Sequence, residues 1–287
     1  MVALTFVLLK GEFMIEILKS VLFGIVQGIT EWLPISSTGH MILLNEFVTL
    51  NVSPEFWEMF KVVIQFGSIL AVVLIFWGKL FPFDFKSQNV IRMDVMQMWF
   101  KVVVGCIPAG LLVVFGLDEV CDAMFQNYLT VAIMLILFGV LFIVIENRNK
   151  NTESKITEIS QITYKTAFII GIFQLIAAVF PGTSRSGSTI VGALLLGVSR
   201  TVAAEFTFFL AVPTMLGASL LKLVKFGFDF TGYELVILLV GMVVAFVVSV
   251  VVIRFLMDYI KRHDFKVFGW YRIVLGIIVI GYFMFFA

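Results

Sequence analysis

Apolar residues dominate this chain in long runs, and the lengths of those runs set the first expectations. A bilayer core of about 30 Å takes roughly 20 apolar residues in a helix. Six runs meet that length: about 58–78, 97–117, 127–146, 203–224, 233–254 and 269–287. Two other apolar stretches are interrupted. Residues 15–34 and 41–50 are separated by Pro34 to His40, and 163–180 and 188–199 by Pro181 to Gly187. Proline followed by glycine, serine and threonine stops a helix and frees backbone polar groups. Such backbone persists at membrane depth only inside protein or along a wet cavity. Each interrupted stretch therefore predicts a re-entrant helix–loop–helix hairpin.

The two breaks are copies of one another. Gly24-Ile25-Val26-Gln27 precedes Pro34-Ile35-Ser36-Ser37-Thr38-Gly39-His40, and Gly171-Ile172-Phe173-Gln174 precedes Pro181-Gly182-Thr183-Ser184-Arg185-Ser186-Gly187. At an offset of 147, Gly24, Ile25, Gln27, Pro34 and Ser37 meet identical residues, while Glu31 meets Ala178, Thr38 meets Arg185 and His40 meets Gly187. Further on, Glu55-Phe56 and Gly67 recur as Glu205-Phe206 and Gly217. The expected fold is an all-α polytopic membrane protein built as an inverted repeat. Each half is one re-entrant hairpin plus three transmembrane helices, in a single membrane domain over 1–287. Repeat 1 covers about 14–146, a cytoplasmic connection 147–162, and repeat 2 about 163–287; residues 1–13 read as an extension ahead of Met14.

Composition agrees: 61% of the 287 residues are hydrophobic and 14% charged, with a mean hydropathy of +1.09. Soluble domains are about 45–50% apolar. A net charge of +1 argues against a nucleic-acid partner. Cys106 and Cys121 lack metal-site spacing and read as buried free thiols, with a disulfide between them as the other reading. The N-terminus has neither a basic n-region nor a small-residue cleavage site, so it is not read as a signal peptide. Basic residues fall in three connections: Lys79, Lys86, Arg92 and Lys101; Arg148, Lys150, Lys155 and Lys165; and Arg254, Lys261, Arg262, Lys266 and Arg272. The 118–126 connection carries Asp118, Glu119 and Asp122 instead. The positive-inside rule puts the basic connections in the cytoplasm and both termini outside, provided that 163–199 enters from the cytoplasm and returns.

Gln27 and Glu31 share one helix face ahead of the first break. A carboxylate in an apolar segment faces a cavity or a partner, and Ser36, Ser37 and His40 lie within ten residues of it. The second break combines backbone N–H groups at a helix start, several hydroxyls and Arg185, whose planar fork matches phosphate oxygens. Helix capping alone accounts for the serines but not for an arginine in apolar sequence. A positioned nucleophile, a proton carrier and positive charge on the transferred group are what phosphate-ester hydrolysis requires. There is no P-loop, so ATP is not implied.

These residues resemble the undecaprenyl-diphosphatases, the bacitracin-resistance membrane proteins, over nearly the whole chain from Met14. The family's [E/Q]-x-x-x-E motif is Gln27 to Glu31, its P-G-x-S-R-S-x-x-T motif is Pro181 to Thr189, and its Ser-Ser-Thr-Gly-His segment is Ser36 to His40. The resemblance implies removal of the terminal phosphate of undecaprenyl diphosphate, recycling the lipid carrier of cell-wall synthesis. It also implies a multi-pass protein of the bacterial plasma membrane whose site opens extracytoplasmically, and dependence on Mg²⁺ or Ca²⁺. On the same basis Ser37 is the candidate nucleophile, Glu31 handles metal or proton, His40 is a general acid/base, and Arg185 holds the diphosphate with Ser184, Ser186 and Thr189. The motifs add Gln27, Ser36, Thr38, Gly182 and Thr183 to the substrate-binding set, with Glu31 and Gln27 facing the cation. Gln27 brings no charge, so a cation would be held partly by substrate phosphate. Attack by Ser37, His40 or water stays open at this point, as does assembly into a homo-oligomer. A lipid-phosphate transporter or flippase is the alternative reading, and a factor that merely sequesters lipid diphosphate is a third. Transport needs no Ser37–His40 pair, which separates it from the enzyme.

Overall fold

The computed structural model describes residues 2–85, 90–227 and 229–285. Twelve helices follow in order: α1 (Val2–Thr30), α2 (Ser37–Phe47), α3 (Pro54–Ile75), α4 (Trp77–Leu80), α5 (Met93–Val114), α6 (Leu117–Phe125), α7 (Tyr128–Asn149), α8 (Tyr164–Val179), α9 (Arg185–Leu195), α10 (Arg200–Phe226), α11 (Gly232–Tyr259) and α12 (Lys266–Phe285). Among the described residues there is no strand, only the isolated bridges Phe83–Ile91 and Ile156–Val198. The second bridge pins the 147–162 connection to the end of α9.

Start signals are local and legible. Ser53 caps α3 ahead of Pro54, Asn127 caps α7, Thr163 caps α8, Ser199 caps α10, and Thr231 with Glu234 forms a capping box on α11. Seven helices are long and apolar enough to cross a membrane, one more than the six uninterrupted runs. The additional one is α1, from Gly11 to Thr30. No proline or cap separates residues 11–13 from Met14, so the helix runs through. Both breaks occur as expected. Their second arms, α2 and α9, are 11 residues each, or about 16 Å of helix, too short to cross. The expected span 269–287 begins earlier, at Lys266, and its last two residues lie outside the described residues, as does Lys86.

Packing pairs the elements symmetrically. α1 lies on α11 as α8 lies on α5, and α3 packs on α10 while α7 packs on α12. Outward-facing Val114, Phe115, Val251, Phe255 and Ile277 are each more than half exposed, as a lipid-facing surface requires. The largest core cluster gathers around Trp32, Phe138, Phe142, Phe206, Phe208 and Phe209, directly behind the two breaks. A second cluster, Phe23, Phe56 and Phe60, sits between α1, α3 and α11.

Arg272 departs from its sequence assignment. Counted by its position with the third basic connection, it instead lies inside α12 and is fully buried. It has no carboxylate partner among the described residues. Its guanidinium donates to the carbonyls of Pro34, Met134, Leu135, Gly182 and Thr183, at 2.8–3.4 Å. Those carbonyls belong to both breaks and to α7, so a single side chain staples the two loops together.

Candidate active site

The two breaks meet through Glu31 and Arg185, 154 positions apart in sequence. Glu31 sits one residue beyond α1 and is 5% exposed. Its Oε1 accepts from Arg185 Nη2 at 3.0 Å. Its Oε2 accepts from Gln27 Nε2 and from Ser37 Oγ, both at 2.9 Å. Arg185 also donates to the Thr207 carbonyl at 3.2 Å and lies 6.0 Å from the Trp32 ring. A desolvated carboxylate satisfied by an amide, a hydroxyl and a guanidinium is a charge held in place. The serine hydroxyl points its proton at that carboxylate.

Each break closes with a serine cap of identical design. Ser36 caps α2 at φ 74° and Ser184 caps α9 at φ 67°, and these two are the non-glycine residues with positive φ among the described residues. The Ser36 hydroxyl accepts from Gly39 N and that of Ser184 from Gly187 N. The structural register is therefore Ser36 with Ser184 and Gly39 with Gly187, an offset of 148 rather than 147. The second loop contains one residue more. In the corrected register Ser37 corresponds to Arg185 and His40 to Ser188.

Side chains of the first break reach open space. Gln27, Ser37 and Thr38 line a cavity of about 230 Å³ together with Pro181, and Glu58, Lys61, Asp122, Gln126 and Lys222 line it from α3, α6, α10 and the residue after α6. The second break turns its hydroxyls inward. Thr189 Oγ1 bonds the carbonyls of Arg185 and Ser186 and the Thr207 hydroxyl, and Ser186 Oγ donates to the Glu31 carbonyl. The Ser184 hydroxyl pairs with that of Ser186 at 3.2 Å. Thr183 is fully buried, with no partner for its hydroxyl. Gly182, at φ 89°, lies so close to Val131 that a Cβ would stand 2.5 Å from the Val131 carbonyl oxygen. It serves the loop's shape. Among the second-break candidates, Arg185 thus reaches the Glu31 carboxylate of the other break, while Ser186 and Thr189 hold the loop that carries it.

His40 joins the cluster only through the backbone. Its Nδ1 donates to the Ser36 carbonyl at 2.7 Å, and Nε2 meets the Tyr271 hydroxyl at 2.7 Å. Neither ring nitrogen bonds Ser37 or Glu31. Tyr271 and Arg272, adjacent on α12, escape sequence reasoning: each looks like an ordinary residue near a helix start, and only packing brings them to the breaks.

Among the described residues no group of three His, Cys, Asp or Glu side chains is arranged to hold a metal. The donors present are the Glu31 carboxylate and the Gln27 amide and Ser37 hydroxyl, the latter two each bonded to Glu31 Oε2 at 2.9 Å. That set is too small for an all-protein cage. It fits a magnesium-type ion that keeps waters and takes most of its ligands from a diphosphate.

The fold and site together define a class: a multi-pass α-helical membrane protein with two broken hairpins joined by a hydroxyl–carboxylate–guanidinium chain. The comparison with known proteins goes further. The family described as Bacitracin resistance protein BacA matches residues 20–278, and the chain belongs to that family. It is 67% identical over 272 residues to the undecaprenyl-diphosphatase of Desulfitobacterium hafniense, covering 94% of this chain and 97% of that protein. It is 63% identical over 270 residues to undecaprenyl-diphosphatase 1 of Clostridium acetobutylicum, covering 94% and 98%. It is 63% identical over 268 residues to an undecaprenyl-diphosphatase of Enterococcus faecalis, covering 93% and 96%.

Proposed function

We propose that this chain is an undecaprenyl-diphosphate phosphatase of the bacterial plasma membrane. It removes the terminal phosphate of the lipid diphosphate, so that the carrier re-enters cell-wall synthesis and bacitracin loses its target. The observation that carries the chemistry is the Ser37–Glu31–Arg185 chain, at 2.9 and 3.0 Å. Ser37 Oγ attacks the terminal phosphorus and passes its proton to Glu31. The bond from that phosphorus to the bridging oxygen breaks, and undecaprenyl phosphate departs. Water then attacks the phosphoserine phosphorus and gives a proton to His40. The bond from phosphorus to Ser37 Oγ breaks, Glu31 returns its proton to Oγ, and inorganic phosphate leaves. His40 passes its proton to the departing phosphate or to solvent. Arg185 and the starts of α2 and α9 supply positive charge to the transferred group. A divalent cation, held by Glu31, Gln27 and the substrate's own oxygens, would neutralise the diphosphate.

Purified protein in lipid should release phosphate from a long-chain prenyl diphosphate with Mg²⁺ or Ca²⁺ present. Ser37→Ala should lower that release by about 10³-fold or more while the protein folds normally. Wild-type turnover in Ser37→Ala, or no release from the native protein, overturns the reading. Phosphate trapped on Ser37 would settle the nucleophile.

The cavity opens to the extracytoplasmic side on this reading. α6 borders it with Asp122 and carries no Lys or Arg, in contrast to the basic connections elsewhere. Cys121 lies on α6 as a free, half-buried thiol. In cells of a Cys106→Ser variant, an impermeant maleimide should label it from outside. Labelling only after the membrane is opened reverses the orientation.

A further inference from the structure

The proton carrier of the proposed reaction is not free in the structure, and what holds it is informative. The Ser36 carbonyl can only accept, so His40 carries its proton on Nδ1. The neutral ring then has its lone pair on Nε2, where the Tyr271 hydroxyl stands at 2.7 Å and donates. The two rings lie parallel, 3° apart in plane and 5.6 Å between centroids. Among the described residues Tyr271 has no other hydrogen-bond partner. Its place is fixed by its neighbour: Arg272 bonds Pro34 of the first break and Gly182 and Thr183 of the second. The register of α12, and with it the Tyr271 hydroxyl, is therefore tied to the frame that holds Ser37 and Arg185.

We infer that Tyr271 is a positioning residue for the reaction: its hydroxyl fixes the orientation and tautomer of His40 and accommodates both protonation states of the ring. A hydroxyl is both donor and acceptor. Towards neutral His40 it donates to Nε2. When the ring is protonated on both nitrogens, the hydroxyl turns and accepts from Nε2–H, its own O–H turning away from the ring. A lysine or carboxylate in its place would bias one protonation state, whereas a hydroxyl serves both. This rests on the reading of His40 as the proton carrier in phosphate-ester hydrolysis.

The test uses the full-length protein in lipid, a long-chain prenyl diphosphate and a divalent cation. Tyr271→Phe keeps the stacked ring and removes only the hydroxyl. The expected result is a kcat about tenfold to a hundredfold lower with KM changed less than twofold. Tyr271→Leu serves as the control for ring packing and should lower kcat at least as far. The chain has two histidines, so ¹⁵N-histidine labelling gives two sets of nitrogen signals, and His263→Gln identifies those of His40. In the native protein His40 should show a protonated Nδ1 and an unprotonated, hydrogen-bonded Nε2. In Tyr271→Phe the Nε2 signal should shift. An unchanged kcat, a change in KM alone, or a lower kcat with unmoved His40 signals each overturn the positioning role. Failure of the native protein to release phosphate defeats the phosphatase reading instead, so the two failures are distinguishable.

Discussion

The two breaks share a backbone and differ in how they use it. Both end in a serine cap at positive φ that accepts from a glycine N–H three residues on. Beyond that they diverge. α9 is buried along nearly its whole length, from Ser186 to Leu194, whereas α2 buries only Gly39 and Met41. A hydroxyl in a buried loop must find a protein partner, because an unpaired one costs about 1–3 kcal/mol. Ser186, Ser188 and Thr189 do so, while the buried Thr183 hydroxyl does not. Ser37, whose hydroxyl donates to Glu31, and Thr38 instead line a cavity that could receive a ligand. Burial, more than residue type, separates the break that faces the cavity from the one packed inside the protein.

That contrast predicts a graded series. Ser37→Ala stands at the top, with the loss of turnover stated above and no loss of stability. Next comes Arg272→Met, which leaves the five carbonyls without their buried donor. It should lower stability by about 3–5 kcal/mol, read as a fall in Tm in detergent, because breaking a buried charged network strands its partners. A Tm within a degree of the native value would mean that the breaks are fixed by their helices and not by the staple. Smallest is Thr189→Val, which leaves the Thr207 hydroxyl without that partner. It should cost about 1–3 kcal/mol of stability while kcat stays within threefold. A kcat loss as large as that of Ser37→Ala, at unchanged stability, would return Thr189 to the substrate and dissolve the distinction between the breaks.

Part of the site was legible before any coordinates. Proline, glycine and serine in apolar sequence marked both interruptions, and Gln27 and Glu31 fell on one helix face because four residues nearly complete a turn. Arg185 stood out because a guanidinium in apolar surroundings needs an anion, and Glu31 supplies one in this structure. The one-residue difference between the loops was hidden, since Ser37 and Ser184 align perfectly well as letters. Only the caps reveal that Ser36 is the true counterpart of Ser184. The hydroxyl-rich motif read as a phosphate cradle, and its composition does not tell that the Ser186 and Thr189 hydroxyls bond protein groups in this structure.

The chain by itself determined that helices would form, where two of them would stop, and that the short arms after the breaks could not cross a bilayer. These follow from hydropathy, helix length and backbone hydrogen bonding, all of which act over neighbouring residues. Tertiary structure alone decided that Arg185 reaches Glu31, that Arg272 lies under both loops instead of in a basic connection, and that Tyr271 faces His40. Those partners stand 89 to 238 positions apart. Their meeting depends on how α7, α9 and α12 pack, since a hydrogen bond forms only within about 3 Å and no local pattern encodes that approach.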